Sequence, residues 1–184
     1  MPYIILDIET TGLYPEQSEI IEIGALKIEK KDIKDIFNPL IKPKSPIPKN
    51  IEDLTNISDN MLKNHPDAER VLPDFITFIS ETTLIAHNAE FDMGFLKYHI
   101  LKVLGKELSN PNICTLKLAK ALLPGLNNHK LHTIANYYKI PIPNRHRALG
   151  DAEITYQVWL KLLDELKKKE IITKDRLFSL LNSL

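Results

Sequence analysis

The chain has 184 residues, 43% of them hydrophobic and 26% charged, which suits one globular domain with a buried core and excludes a disordered or fibrous chain. Lysine plus arginine and aspartate plus glutamate both number 24, so the formal charge is zero and no global basic field marks a nucleic-acid partner; any such binding is local or metal-assisted. The single cysteine, Cys114, cannot form an internal disulfide, Pro2 and Asp7 interrupt the N-terminal apolar run unlike a signal peptide, and no apolar stretch approaches the ~18 residues of a membrane span. A cytoplasmic setting without membrane contact is expected.

Residues 3–6 are an apolar run of β-formers that ends in Asp7-Ile8-Glu9. Alternation along a strand puts both carboxylates on one face, their stems roughly 6.6 Å apart, where they could converge on metal ions. Thr10, Thr11 and Gly12 then turn the chain, leaving the pair at the carboxyl end of the strand, where open α/β sheets tend to place their sites. By itself Asp-x-Glu carries little information, because a solvated strand end fits it as well.

Residues 19–29 read as a second strand, and Lys30-Lys31-Asp32 turns into a third over residues 33–41, so the sheet opens antiparallel. Pro43, Pro46 and Pro48 mark an extended connector over residues 42–49. Short helical turns fit residues 51–62, with Ser58 as an N-cap, and Pro66-Asp67 opens a helix carrying Val71, Phe75, Phe78 and Ile79 despite Pro73.

Residues 82–87 (TTLIAH) form a short apolar strand that runs straight into a helix reaching about residue 104, the αβ unit of an α/β fold. Asp92 falls in the first turn of that helix, the same kind of location as Asp7 and Glu9. Two more helices fit residues 115–123 and 131–138, and residues 141–144 form a proline-marked loop. In the last helix, residues 149–169, Ile154, Val158, Leu162 and Leu166 make a core-facing stripe that includes Asp151. A carboxylate aimed inward needs a partner, and a metal ion shared with Asp7 and Glu9 would provide one.

Four carboxylates, Asp7, Glu9, Asp92 and Asp151, thus sit at element ends that can converge, with His146 five positions before the last. Asp7-x-Glu9-Thr-Thr-Gly, His87-Asn88-Ala-x-Phe91-Asp92 and His146-x-Ala-x-x-Asp151, in this order, resemble the three motifs of the DEDDh 3′–5′ exonucleases, the group that contains the proofreading exonuclease (epsilon) subunit of bacterial DNA polymerase III. The correspondence runs from about residue 3 to 163, through residues 20–25 (IIEIGA) and 114–119 (CTLKLA).

The resemblance implies an RNase H-like α/β fold over residues 1–170, with a mixed sheet whose first three strands are antiparallel, and no separate domain in residues 171–184. It also implies that Asp7, Glu9 and Asp151 hold one Mg²⁺ or Mn²⁺ ion, and that Asp7, with Asp92 through water, helps to hold a second. Such a two-metal site clamps the attacking and leaving oxygens of a phosphodiester, and oxygen-only ligands suit these ions. His146 would be the general base. Thr10, Leu13, Asn88 and Phe91 match substrate-contacting positions, although Leu13 also fits turn packing and Phe91 fits core packing better.

The expected activity is metal-dependent release of nucleoside 5′-monophosphates from single-stranded or frayed DNA 3′ ends, in proofreading or repair, with a DNA polymerase as a possible partner. Trimming of RNA 3′ tails is the alternative, since the same centre serves both polymers. Local cations for the nucleic acid are Lys130, Arg145 and Arg147. A scaffold that merely keeps the fold would have no need for clustered, mutually repelling charges. One departure stands out: residues 55–57 are Thr-Asn-Ile where relatives of the proofreading subunit often carry His-Gly-Ile. A long polymerase-binding extension after the exonuclease region is not expected.

Overall fold

A computed structural model describes residues 2–142 and 146–169. Strands β1 (Tyr3–Thr10), β2 (Ile20–Glu29) and β3 (Asp32–Phe37) form the expected antiparallel meander, while β4 (Thr83–Ala86) and β5 (Asn112–Cys114) add in parallel on the other side. The order across the sheet is β3-β2-β1-β4-β5, so the first strand of the chain is the middle of the sheet. Covered on both faces, it buries consecutive residues, and Ile4, Ile5 and Leu6 are all fully buried.

The third strand is shorter than residues 33–41. Pro39 has no amide hydrogen to give to the ladder, and beyond Phe37 the pairing continues as an isolated bridge between Leu40 and Glu22. Helix α1 (Lys49–Thr55) starts immediately after Pro48, earlier than the proline-rich connector suggests. Ser58 caps α2 (Asp59–Leu62) as expected, by accepting the amide of Met61. Asp67 caps α3 (Ala68–Ile79) through the amide of Arg70, and Pro73 is accommodated inside it. Leu72 joins Val71, Phe75 and Ile79 in the core, whereas Phe78 is only partly buried, against Phe37 and beneath the Lys27 ammonium.

The remaining helices are α4 (Ala89–Leu104), α5 (Thr115–Leu122), α6 (Leu131–Tyr137) and α7 (Ala148–Lys168), close to their expected spans. Alternation along β1 feeds two cores. Ile4, Leu6 and Ile8 pack with α3 and α4 on one face, while Ile5 packs with α5, α6 and α7 on the other. Among the described residues no helix is long and apolar enough to cross a membrane. Arg145 and residues 171–184 lie outside the described residues.

Candidate active site

Asp7 and Glu9 continue the β1 face that carries Ile5, so they point toward the layer of α7, as alternation requires. Asp151 meets them from the first turn of α7, and Asp92 occupies the first turn of α4 on the opposite face. Both helices therefore present their N-terminal ends, with their partial positive charge, to the tip of the central strand. Carboxylate oxygens of Asp7, Glu9 and Asp151 all lie within 4.8 Å of one another. Asp92, only 2% exposed, is close enough for its charge to bear on Asp7.

The electrostatics follow from that crowding. Asp7 is raised well above the ordinary carboxylate range by burial first, then by the charges of Asp92, Glu9 and Asp151. Glu9 is pushed up to about 8 by burial, then by Asp151, Glu22 and Asp92, with Arg147 opposing. Burial also raises Asp92 to about 8, although backbone amides of its own residue and of Ile8 favour its ionised form. Such a set, all oxygen donors and short of positive charge, fits a hard divalent cation such as Mg²⁺ or Mn²⁺.

His146 takes up a left-handed backbone conformation (φ 57°), uncommon for a residue with a side chain, and its amide donates to Asp151 Oδ2 at 3.2 Å. It shares a small cavity with Asp151, His132 and Ile142. Base candidate and acid are thus joined through one turn.

The other expected substrate residues surround this point. The Thr10 hydroxyl donates to the Gly12 carbonyl at 2.6 Å, and Thr11 and Glu19 tie the two ends of the following loop together. That loop presents Leu13 at 72% exposure, so turn packing does not account for it. Asn88, also left-handed, is exposed between β4 and α4. Phe91 is half-buried against Phe95, with ring centres 4.9 Å apart.

Arg147, expected as a local cation beside the third motif, has a partner within the fold: its guanidinium is held bidentately by Glu22 at 2.9 and 3.0 Å. Reading the sequence passed over Glu22, yet a glutamate between Ile21 and Ile23 in a buried strand is a signal, since a buried acid requires a partner. His87 also gained nothing from the sequence. It anchors the β4–α4 turn, with Nδ1 2.9 Å from the Thr115 hydroxyl and Nε2 3.0 Å from the His129 carbonyl oxygen, and burial lowers it to about 4.

A mixed five-stranded sheet with paired carboxylates at the tip of its central strand, met by acids from two helix first turns, defines a nuclease of the RNase H-like class. More narrowly, the chain belongs to the DEDDh 3′–5′ exonuclease family, and residues 4–159 match the RNase T family of exonucleases. It is 37% identical over 164 residues to the DNA polymerase III epsilon subunit of Aquifex aeolicus, covering 89% of this chain and 81% of that one. Against the PolC-type DNA polymerase III of Halalkalibacterium halodurans it is 39% identical over 175 residues, which is 95% of this chain but 12% of that polymerase. Exonuclease X, solved in complex with 5′-overhanging duplex DNA, shares the fold with a TM-score of 0.77 and 27% identity, covering 97% of this chain and 99% of that one.

Proposed function

We propose that the chain hydrolyses phosphodiester bonds one at a time from the 3′ end of single-stranded or frayed DNA and releases nucleoside 5′-monophosphates. The observation that carries this reading is the convergence of Asp7, Glu9 and Asp151 within 4.8 Å, with Asp92 near enough for its charge to act on Asp7 and His146 tied to Asp151. Bound there, divalent cations would neutralise the cluster, polarise the phosphoryl group and acidify a water molecule.

Asp7, Glu9 and Asp151 would hold one such ion, and Asp7, with Asp92 through water, would help to hold a second. His146 accepts the proton of the attacking water as its oxygen bonds to phosphorus. The P–O3′ bond then breaks, and the departing 3′ oxygen takes a proton from solvent. Leu13 lies against the end bases, while Thr10, Asn88 and Phe91 locate the terminal nucleotide. DNA is favoured because the two polymerase relatives are named as parts of DNA polymerase III, and the same likeness makes a replicative polymerase the fitting partner.

The test is a time course on 5′-labelled single strands of DNA and RNA with Mn²⁺ or with EDTA. A ladder that shortens from the 3′ end in Mn²⁺, disappears in EDTA and runs faster on DNA is the expected result. Equal cleavage in EDTA would overturn the metal centre, and a faster RNA ladder would overturn the choice of polymer.

A further inference from the structure

Glu22 is 0% exposed and stands directly across the β1–β2 ladder from Glu9, so a second carboxylate is buried beside an already crowded cluster. Like charges paired directly across strands are unfavourable. A residue that worsens this repulsion must do something else. Its two oxygens are fully engaged: Oε1 accepts from an Arg147 terminal nitrogen at 2.9 Å, and Oε2 accepts from Arg147 Nε and from the Ala148 amide, both at 3.0 Å. With the Asn38 amide turned to its hydrogen-bonding orientation, Asn38 also donates to Oε1 at 3.2 Å.

Arg147 and Ala148 are the two residues that immediately follow His146 and begin the helix carrying Asp151. Ala148 is pressed so tightly onto β2 that a Cβ on Gly24 would lie 2.2 Å from its carbonyl carbon. We infer that Glu22 and Arg147 form a positioning pair that locks the His146–Asp151 segment onto the β1–β2 ladder and so sets both groups against Asp7 and Glu9. Bidentate arginine–carboxylate geometry fixes orientation as well as distance, which a single hydrogen bond would not. In this role Arg147 acts on the site through His146 and Asp151, and it does not grip the substrate phosphates.

The inference rests on the exonuclease reading above, and its test separates the two. Glu22→Gln, Arg147→Met and the double variant are compared with the intact protein for kcat, KM, the salt dependence of KM, and Mn²⁺ affinity by calorimetry. Gln keeps the shape of Glu22, and the double variant leaves no unpaired buried charge, so at least one variant remains folded. Each single variant is expected to lose about 10- to 100-fold in kcat, in line with a misplacement near 1 Å. The double variant should lose no more than either single one, KM should hold within about twofold, and Mn²⁺ should bind more weakly throughout.

Raised KM with a reduced salt slope in Arg147→Met alone would make Arg147 a phosphate contact and overturn the pair. Full kcat and full Mn²⁺ affinity in folded variants with lowered melting temperatures would reduce it to ordinary packing, which also overturns it. If the intact protein degrades no nucleic acid, the functional reading fails, and Mn²⁺ affinity across the same variants still decides whether the pair assembles the site.

Discussion

The backbone of Ala148 lies directly on Gly24: a side chain there would meet the Ala148 carbonyl carbon and the Leu149 amide nitrogen at 2.2 Å. The first turn of α7, with Asp151 in it, can approach the carboxylates of β1 this closely because residue 24 has no Cβ. Gly24→Ala is expected to destabilise the fold by about 1–3 kcal/mol, the usual range for overpacking, and to weaken Mn²⁺ binding as α7 is pushed away. Gly94→Ala is the control, since nothing stands within 4 Å of its added carbon and helix propensity favours alanine. Urea melts of both variants check the pair.

Asp7, Glu9 and Asp151 repel one another when no cation is bound. Mn²⁺ is therefore expected to raise the melting temperature, with an increment that grows with concentration, and Asp151→Asn should shrink that increment while raising stability without metal. Identical melting curves with and without Mn²⁺ would show that the cluster binds no ion.

Glu9 and Asp92 titrate near 8 in the folded protein, against ordinary values of 4.5 and 3.8. Between those limits the folded state without metal retains protons that the unfolded chain has released. Its stability falls as pH rises toward about 8. His87, lowered to about 4 from 6.5, works the other way below 6.5, so the decline is cleanest from there to about 8. In EDTA the urea midpoint should drop across that interval, and the stabilisation given by Mn²⁺ should grow across it because the ion no longer competes with protons. A midpoint that rises with pH over this range would contradict the assignment.

His146→Asn keeps a residue that tolerates the left-handed backbone while removing the imidazole. Loss of about 10²- to 10⁴-fold in kcat is expected, with Mn²⁺ affinity and melting temperature nearly unchanged. Single-turnover rates beside calorimetry measure both, and full activity would remove His146 from the reaction.

Leu13 is 72% exposed on a loop fastened by the Thr11–Glu19 bonds and by His99, whose Nε2 lies 2.9 Å from the Ser18 carbonyl oxygen. Leu13→Ala should leave stability within ~0.5 kcal/mol, since an exposed side chain supports little packing. Turnover of frayed duplex ends should fall more than that of single strands, because an apolar wedge matters most where bases must be parted.

The strand–turn–helix order, the helix cap at Ser58, the helix start at Pro66-Asp67, and the placement of Asp7, Glu9, Asp92 and Asp151 at element ends were legible because each is a local pattern: alternation of two, helical spacing, or a turn residue beside an apolar run. A residue's neighbours in sequence determine those. Tertiary structure alone decided that β1 stands in the middle of the sheet, that β3 stops at Phe37, and that Arg147 pairs with Glu22, 125 positions away. Partners so distant are chosen by which faces pack together, and a buried charge takes whichever opposite charge that packing brings within reach.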